Sequence, residues 1–186
     1  MNKNLINVAY QKALIGNELN NEHLDSLFIQ DSCAYLHFIY YLVQSLKPAI
    51  SVELGVCTGR CTAHMAASNP AGKVIAIDPE QHGAFKTNTK PYHNIEFYLT
   101  RSDDLALLSR IKNNSIGLCF VDSVHALDYV MKEVSLWTPK MKPGGIFLFD
   151  DLDFDDGMRK VLSSLPFEVK ENLPGLHYKG FGYAIV

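Results

Sequence analysis

The residues best able to do chemistry fall into two groups. The first is Ser51-Val52-Glu53-Leu54-Gly55-Val56-Cys57-Thr58-Gly59-Arg60-Cys61-Thr62, where an apolar run, a pair of glycines and the start of a helical pattern follow one another directly. Glycine lacks a Cβ and tolerates positive φ, so a turn built on Gly55 and Gly59 lets backbone come close to a ligand. That ligand would lie against a helix N-terminus, whose free N–H groups suit a carboxylate or phosphate. Asp78 ends the next apolar run, 23 residues after Gly55, where an acid can accept hydrogen bonds from a ribose. Two other nucleotide loops are excluded. A phosphate loop needs Gly-Lys-Ser/Thr, which does not occur. The dinucleotide fingerprint G-x-G-x-x-G is broken by Cys57 and Arg60.

The second group is acidic. Asp122 follows one apolar run, and Asp150 and Asp151 follow another. If both runs are strands of one parallel sheet, the three carboxylates meet at the same edge and repel one another. A divalent cation resolves this, since hard ions such as Mg²⁺ prefer oxygen ligands and keep coordination positions open for a hydroxyl. The alternative is that only Asp122 touches the ligand, while the pair caps the next helix or faces water. The run Asp150 to Asp156 is a poor calcium loop, lacking the glycine at its sixth place and the closing glutamate. His125 stands three residues after Asp122. His23, His37, His64, His82, His93 and His177 have no motif around them and read as structural.

These residues require a particular scaffold. Ile50 to Leu54, Lys73 to Ile77, Ile95 to Leu99, Gly117 to Val121 and Gly145 to Phe149 read as strands buried on both faces and central in a sheet. Helical patterns at Thr58 to Ala67, Asp103 to Lys112 and Ala126 to Trp137 lie between them, so the chain reads as βαβ units in a doubly wound α/β fold. A further helix is expected over Asp156 to Ser164. Phe167 to Asn172 and Gly180 to Val186 then read as a closing antiparallel hairpin, giving a mostly parallel, seven-stranded, Rossmann-like sheet. Residues 1–47 form an N-terminal helical segment and 48–186 the core of a single domain. Asp31 to Leu46 is a helix with Asp31 or Ser32 as N-cap. Leu36, Ile39, Tyr40, Val43 and Leu46 form one apolar stripe, and Tyr35, Phe38, Tyr41 and Leu42 make a second face that a single sheet cannot cover as well. Either Leu5 to Leu19 folds over that face or a second copy of the chain does, making a homodimer.

The 186 residues, 47% hydrophobic and 20% charged, suit one soluble globular core. A formal net charge of −3 supplies no basic field for nucleic acid, so a small molecule or peptide is the expected partner. The N-terminus is too polar for a signal peptide and no run spans a bilayer, so a cytoplasmic location without membrane contact is expected. Cys33, Cys57, Cys61 and Cys119 are dispersed, which argues against disulfides and against a zinc site.

Taken together, Glu53-x-Gly55-x-x-x-Gly59, Asp78, Ser102-Asp103-Asp104-Leu105, Val121-Asp122 and Lys142-Pro143-Gly144-Gly145 leading into Phe149-Asp150-Asp151 resemble class I S-adenosylmethionine (SAM)-dependent methyltransferases. The resemblance runs from Ala49 to Leu152. It is strongest to the catechol O-methyltransferase-like group and the small family that includes cephalosporin-hydroxylase-type proteins. It implies that Gly55 and Gly59, with Thr58 in the same turn, line the methionine part of SAM. By the same resemblance Asp78 holds the ribose, Ser102 and Asp103 border the adenine, and Glu53 favours the ammonium group. Asp122, Asp150 and Asp151 are implied as ligands of Mg²⁺ or another divalent cation, with Asp150-Asp151 a variant of the family's pair. His125 takes the place of a lysine base in the first group and a histidine in the second. Two departures stand out. Cys61 replaces a serine that binds the SAM carboxylate, and Leu127 replaces an aromatic. The expected activity is O-methylation of a small hydroxylated acceptor with metal assistance. The alternatives are a metal-independent SAM methyltransferase or a catalytically idle SAM-binding protein.

Overall fold

The computed structural model describes residues 2–16, 19–27 and 34–186. Strands β1 (Ile50–Leu54), β2 (Lys73–Asp78), β3 (Ile95–Leu99), β4 (Ile116–Val121), β5 (Met141–Asp150), β6 (Val169–Asn172) and β7 (Phe181–Ile185) form one sheet in the order β3-β2-β1-β4-β5-β7-β6. The first five run parallel, and β7 lies antiparallel between β5 and β6. The crossovers carry α4 (Arg60–Ser68), α5 (Gly83–Thr89), α6 (Leu105–Arg110) and α7 (Leu127–Trp137). The chain steps outward from β1 to β2 and β3, then returns to place β4 on the other side of β1. The strand order therefore reverses between β1 and β4, opening a crevice beyond their carboxyl ends.

Alternation along the strands divides the core in two. Leu118, Phe120, Ile146 and Leu148 face one apolar layer. Val52, Cys119, Val121, Phe147 and Phe149 face the other, around the fully buried Trp137. The first layer is completed by α3 (Ala34–Leu46) and α1 (Asn2–Ile15), with α2 (Glu22–Leu27) packed beside them. Ile6, Ala9 and Ala13 of α1 are buried in the cluster that holds Leu36, Phe38, Ile39 and Leu42 of α3. The two alanines let the helix backbones approach. Asn2 donates to the Gly144 carbonyl, Lys3 pairs with Glu171, and the Tyr10 hydroxyl donates to Pro174 O at 2.6 Å. The expected second face of α3 is divided: Tyr35 and Phe38 pack on the sheet, with ring centroids 5.6 and 5.7 Å from Phe181, whereas Tyr41 lies under Lys12 of α1. The expected caps Asp31 and Ser32, and Cys33, lie outside the described residues.

The structure departs from the sequence reading in several places. β3 is an edge strand with Glu96 and Leu99 exposed, rather than a central one. β5 begins at Met141, because Met141 pairs with Ile116 and the Pro143-Gly144 kink, with Gly144 at φ +75°, is absorbed as a register irregularity. The helix expected from Asp103 starts at Leu105, since the Asp104 carboxylate caps it by accepting from Ala106 N at 2.8 Å. The helix expected over Asp156 to Ser164 is a 3₁₀ turn, Met158–Lys160, followed by the single turn α8 (Val161–Ser164). Among the described residues no helix is long and apolar enough to cross a membrane.

The covering of α3 by α1 gives a stability prediction. Ile6→Ala, at a fully buried site, is expected to cost about 2–5 kcal/mol. Ile15→Ala, 69% exposed on the same helix, should stay within about 0.5 kcal/mol. Equal denaturant midpoints for the two variants would show that α1 is not part of the cooperative core.

Candidate active site

Hydrogen bonds to both neighbouring strands fix the turn after β1. Gly55 N–H donates to Ile77 O and Asp122 N–H donates to Leu54 O, both at 2.9 Å. Gly55 has φ +85°, and a Cβ there would lie 2.1 Å from the Asp122 carbonyl oxygen. Cys57 is also left-handed, at φ +48°. Asp78 holds the turn from outside. Its Oδ2 accepts from the N–H groups of Val56 at 2.8 Å and Cys57 at 2.9 Å, and its Oδ1 from Glu80 N at 2.8 Å. A carboxylate has about four acceptor positions, so one stays available to a ligand. Gly59 is required for a different reason. It begins α4 at φ +77°, and a Cβ would press within 2.7 Å of the Phe85 ring on α5.

A cavity of about 390 Å³ opens beyond these strand ends, lined by Gly55, Asp78, Ser102, Asp122, His125 and Tyr129 among others. Its volume and its mixture of apolar walls with a few polar groups suit a small organic ligand. The floor beside Ser102 is a buried network. Ser102 and Ser123 both donate to the Glu133 carboxylate, Ser123 at 2.7 Å, and Trp137 Nε1 donates to Ser102 O at 3.0 Å. Burial pushes Glu133 up to about 7 despite the two hydroxyl donors. Asp103 is engaged elsewhere, because Arg101, at 2.9 Å, and Lys132, at 2.6 Å, hold it and pull it well below the usual carboxylate range. Glu53 lies beneath the turn, accepting from Thr62, and its burial raises it well above the usual range. Cys61 is buried against it, so this thiol faces Glu53. Of the cofactor residues expected from sequence, the cavity wall therefore contains Gly55, Asp78 and Ser102, whereas Glu53, Thr58, Gly59 and Asp103 support it from behind or beside.

The acids gather next to the cavity. Consecutive strand residues point to opposite faces, yet Asp150 and Asp151 converge because Asp151 is left-handed at φ +53°. Both are buried, at 4% and 7% exposure. They do not face water, and the next turn is capped by Asp155, which accepts from Met158 N at 2.7 Å. The turn before β7 brings in His177, whose Nδ1 donates to Asp150 Oδ1 at 2.7 Å and lies 3.3 Å from Asp151 Oδ1. One ligand atom from each of Asp150, Asp151 and His177 lies within 4.8 Å of the others, close enough to share an ion. Asp122 is not in that set. The His125 ring stands between, with Nε2 3.4 Å from Asp122 and Nδ1 3.3 Å from Asp151. Burial raises Asp122 to about 7, with Asp150 and Asp151 adding to the effect despite the His125 hydrogen bond. That hydrogen bond, acting against burial, raises His125.

Sequence reasoning missed His177, Tyr129 and Arg101. No motif surrounds His177, which reaches the acids only through the antiparallel return of β7. Tyr129 could have been suspected, because it falls two residues past Leu127, on the exposed start of α7, and supplies the aromatic wall that Leu127 does not.

Two predictions follow from this geometry. Gly55→Ala should destabilise by more than about 2 kcal/mol and abolish ligand binding, because the added Cβ meets backbone at positive φ. A variant with the parent's midpoint would rule out the close approach. For Glu133, the folded-state value of about 7 lies above the usual 4.5, so between these values the folded chain holds a proton that the unfolded chain has lost. Its stabilising share is complete below pH 4.5 and is lost as pH rises through 7. Glu133→Gln should remove up to about 3 kcal/mol of the fall in stability between about pH 5 and 8. An unchanged fall would place the titration elsewhere.

A family model described as "Methyltransferase domain" matches residues 52–152, more than half of the chain. No curated protein matches it in sequence. Similar solved structures include an SAH-bound methyltransferase of Podospora anserina, PaMTH1, with 15% identity, TM-score 0.67 and coverage of 92% of this chain and 86% of the other. An O-methyltransferase of Bacillus cereus in complex with SAH has 16% identity and TM-score 0.63, with all of both chains covered. A putative caffeoyl-CoA O-methyltransferase of Staphylococcus aureus has 18% identity, TM-score 0.66 and coverage of 99% and 98%. The strand order, the glycine turn and the family match agree: the chain belongs to the methyltransferase domain family and has the class I, SAM-dependent fold that its motifs lead one to expect.

Proposed function

We propose that the protein moves the methyl group of SAM to a hydroxyl oxygen of a small acceptor with the help of a divalent cation. The observation that carries this is His125, which lines the cavity and also touches both Asp122 and Asp151. A methyl donor in the cavity would thus lie next to the acids. The acceptor oxygen forms a bond to the methyl carbon as the carbon–sulfur bond breaks, and S-adenosylhomocysteine leaves with the electron pair on sulfur. The hydroxyl proton passes to His125, an imidazole whose protonated form the hydrogen bond to Asp122 favours. The residues fit a cation: Asp151 Oδ1 is buried without a hydrogen bond, and burial with crowding raises both Asp122 and Asp151. Asp150 and Asp151 would hold it, with Asp122 on the far side of His125. When bound, it supplies a lowered pKa to a hydroxyl in its coordination sphere. Asp78 orients the ribose and keeps the glycine turn closed. Tyr129 and Ile77 offer apolar faces to the adenine.

A second reading keeps SAM and omits the cation, since the pairing of His125 with Asp122 is itself a base with an orienting carboxylate. The two readings part in one experiment. Purified protein is first titrated with SAM by calorimetry, where Asp78→Ala should weaken binding roughly tenfold or more and the exposed Lys86→Ala should leave it unchanged. Methyl transfer to cell extract is then measured with Mg²⁺ and with excess chelator. Chelator and Asp150→Ala should each abolish transfer, whereas His125→Ala should lower turnover and keep the metal. Full activity in chelator supports the second reading, and absence of SAM binding overturns both.

A further inference from the structure

We propose that His177 is a metal ligand, so that the site takes a first-row transition dication such as Mn²⁺ or Co²⁺ in preference to Mg²⁺. This rests on the cation reading above and adds a donor to it. Asp150, Asp151 and His177 are the one group among the described residues whose ligand atoms come together closely enough for an ion. The group is more than a cluster of acids. Asp151 Oδ1 is buried, makes no hydrogen bond and faces His177 Nδ1 at 3.3 Å, because that nitrogen's hydrogen bond goes to Asp150. Two oxygens thus point at one nitrogen. A cation replacing the shared proton would be met by all three, with the Nδ1 lone pair as donor and the displaced proton released to solvent.

The ring is held in a fixed orientation. Tyr35, at the start of α3, and Tyr178 flank it, with ring centroids 5.3 and 4.8 Å away. Tyr35 N–H donates to Leu176 O at 3.1 Å, and Gly180 N–H closes the turn by donating to His177 O at 3.1 Å. Backbone on both sides therefore fixes the direction of Nδ1, as an ordered ligand shell requires. An imidazole in place of an oxygen donor favours borderline transition ions, whereas an all-oxygen set suits Mg²⁺.

The test uses the full-length, metal-stripped protein. Calorimetry with Co²⁺, Mn²⁺ and Mg²⁺ should give affinities in that falling order, Co²⁺ exceeding Mg²⁺ by roughly a hundredfold. His177→Ala should reduce that ratio by roughly tenfold or more, and His177→Asp should strengthen Mg²⁺ while weakening Co²⁺. Thermal unfolding without metal checks that both variants fold. Pulsed electron paramagnetic resonance of the Mn²⁺-loaded protein should show nitrogen coupling that vanishes in His177→Ala and persists in His125→Ala. Coupling that survives in His177→Ala, or vanishes only in His125→Ala, overturns the assignment while leaving a carboxylate-held cation in place. Failure of every variant and of the parent to bind any of the three ions overturns the cation reading and this inference together.

Discussion

The site depends on one close passage of backbone, where the turn after β1 meets the residue after β4. With Gly55 against the Asp122 carbonyl there is no room for a side chain between them, and the Asp122 N–H to Leu54 O bond fixes the separation. This contact joins the two halves of the sheet at the place where the strand order reverses. It also brings the ligand-facing turn and the first of the three acids together, and keeps them together whenever the sheet is formed. Asp78 then closes the turn from the β2 side through two backbone N–H groups.

The remaining acids are arranged in two ways that fit their surroundings. Glu53 and Glu133 are buried, accept from hydroxyls, and are raised toward the protonated form. The shift in both reflects the large cost of an unpaired buried charge, which the hydroxyl donors offset in part. Asp150 and Asp151 instead face imidazoles, and burial pulls His177 down less than Asp150 and Asp151 push it up. The two carboxylates therefore favour the protonated form of the His177 imidazole. A positive charge on that ring would offset the repulsion between the two carboxylates it faces.

Much of the fold was legible because buried strands read as apolar runs; a run was found for each of the seven, although β5 begins at Met141 rather than Gly145 and β6 at Val169 rather than Phe167. The edge position of β3 was not legible, since Ile95, Phe97 and Leu99 look as apolar as a central strand. The short helices α2 and α5 escaped notice because Glu22–Leu27 and Gly83–Thr89 bury few side chains and lack a strong apolar stripe. Within the site, Gly55, Asp78 and Ser102 could be read from local order along the chain. The diversion of Asp103 was only half legible, because Arg101 stands two residues before it but Lys132 comes from α7, 29 residues on. His177 is the extreme case: it meets Asp150 27 residues away through strand β7, which a sequence read from its N-terminus presents last.

The ties of α1 to the far end of the chain have a consequence for biosynthesis. Lys3 and Glu171 are 168 residues apart in sequence, and Asn2 and Tyr10 likewise wait for Gly144 and Pro174. At ordinary rates of translation, the first helix emerges roughly ten to thirty seconds before its last partners. Throughout that interval the apolar face of α3 has only part of its native cover, and closing so long a loop is intrinsically slow. The nascent chain is therefore most adhesive before its final strand arrives, and the arrival of β7 both buries that surface and delivers the loop that carries His177.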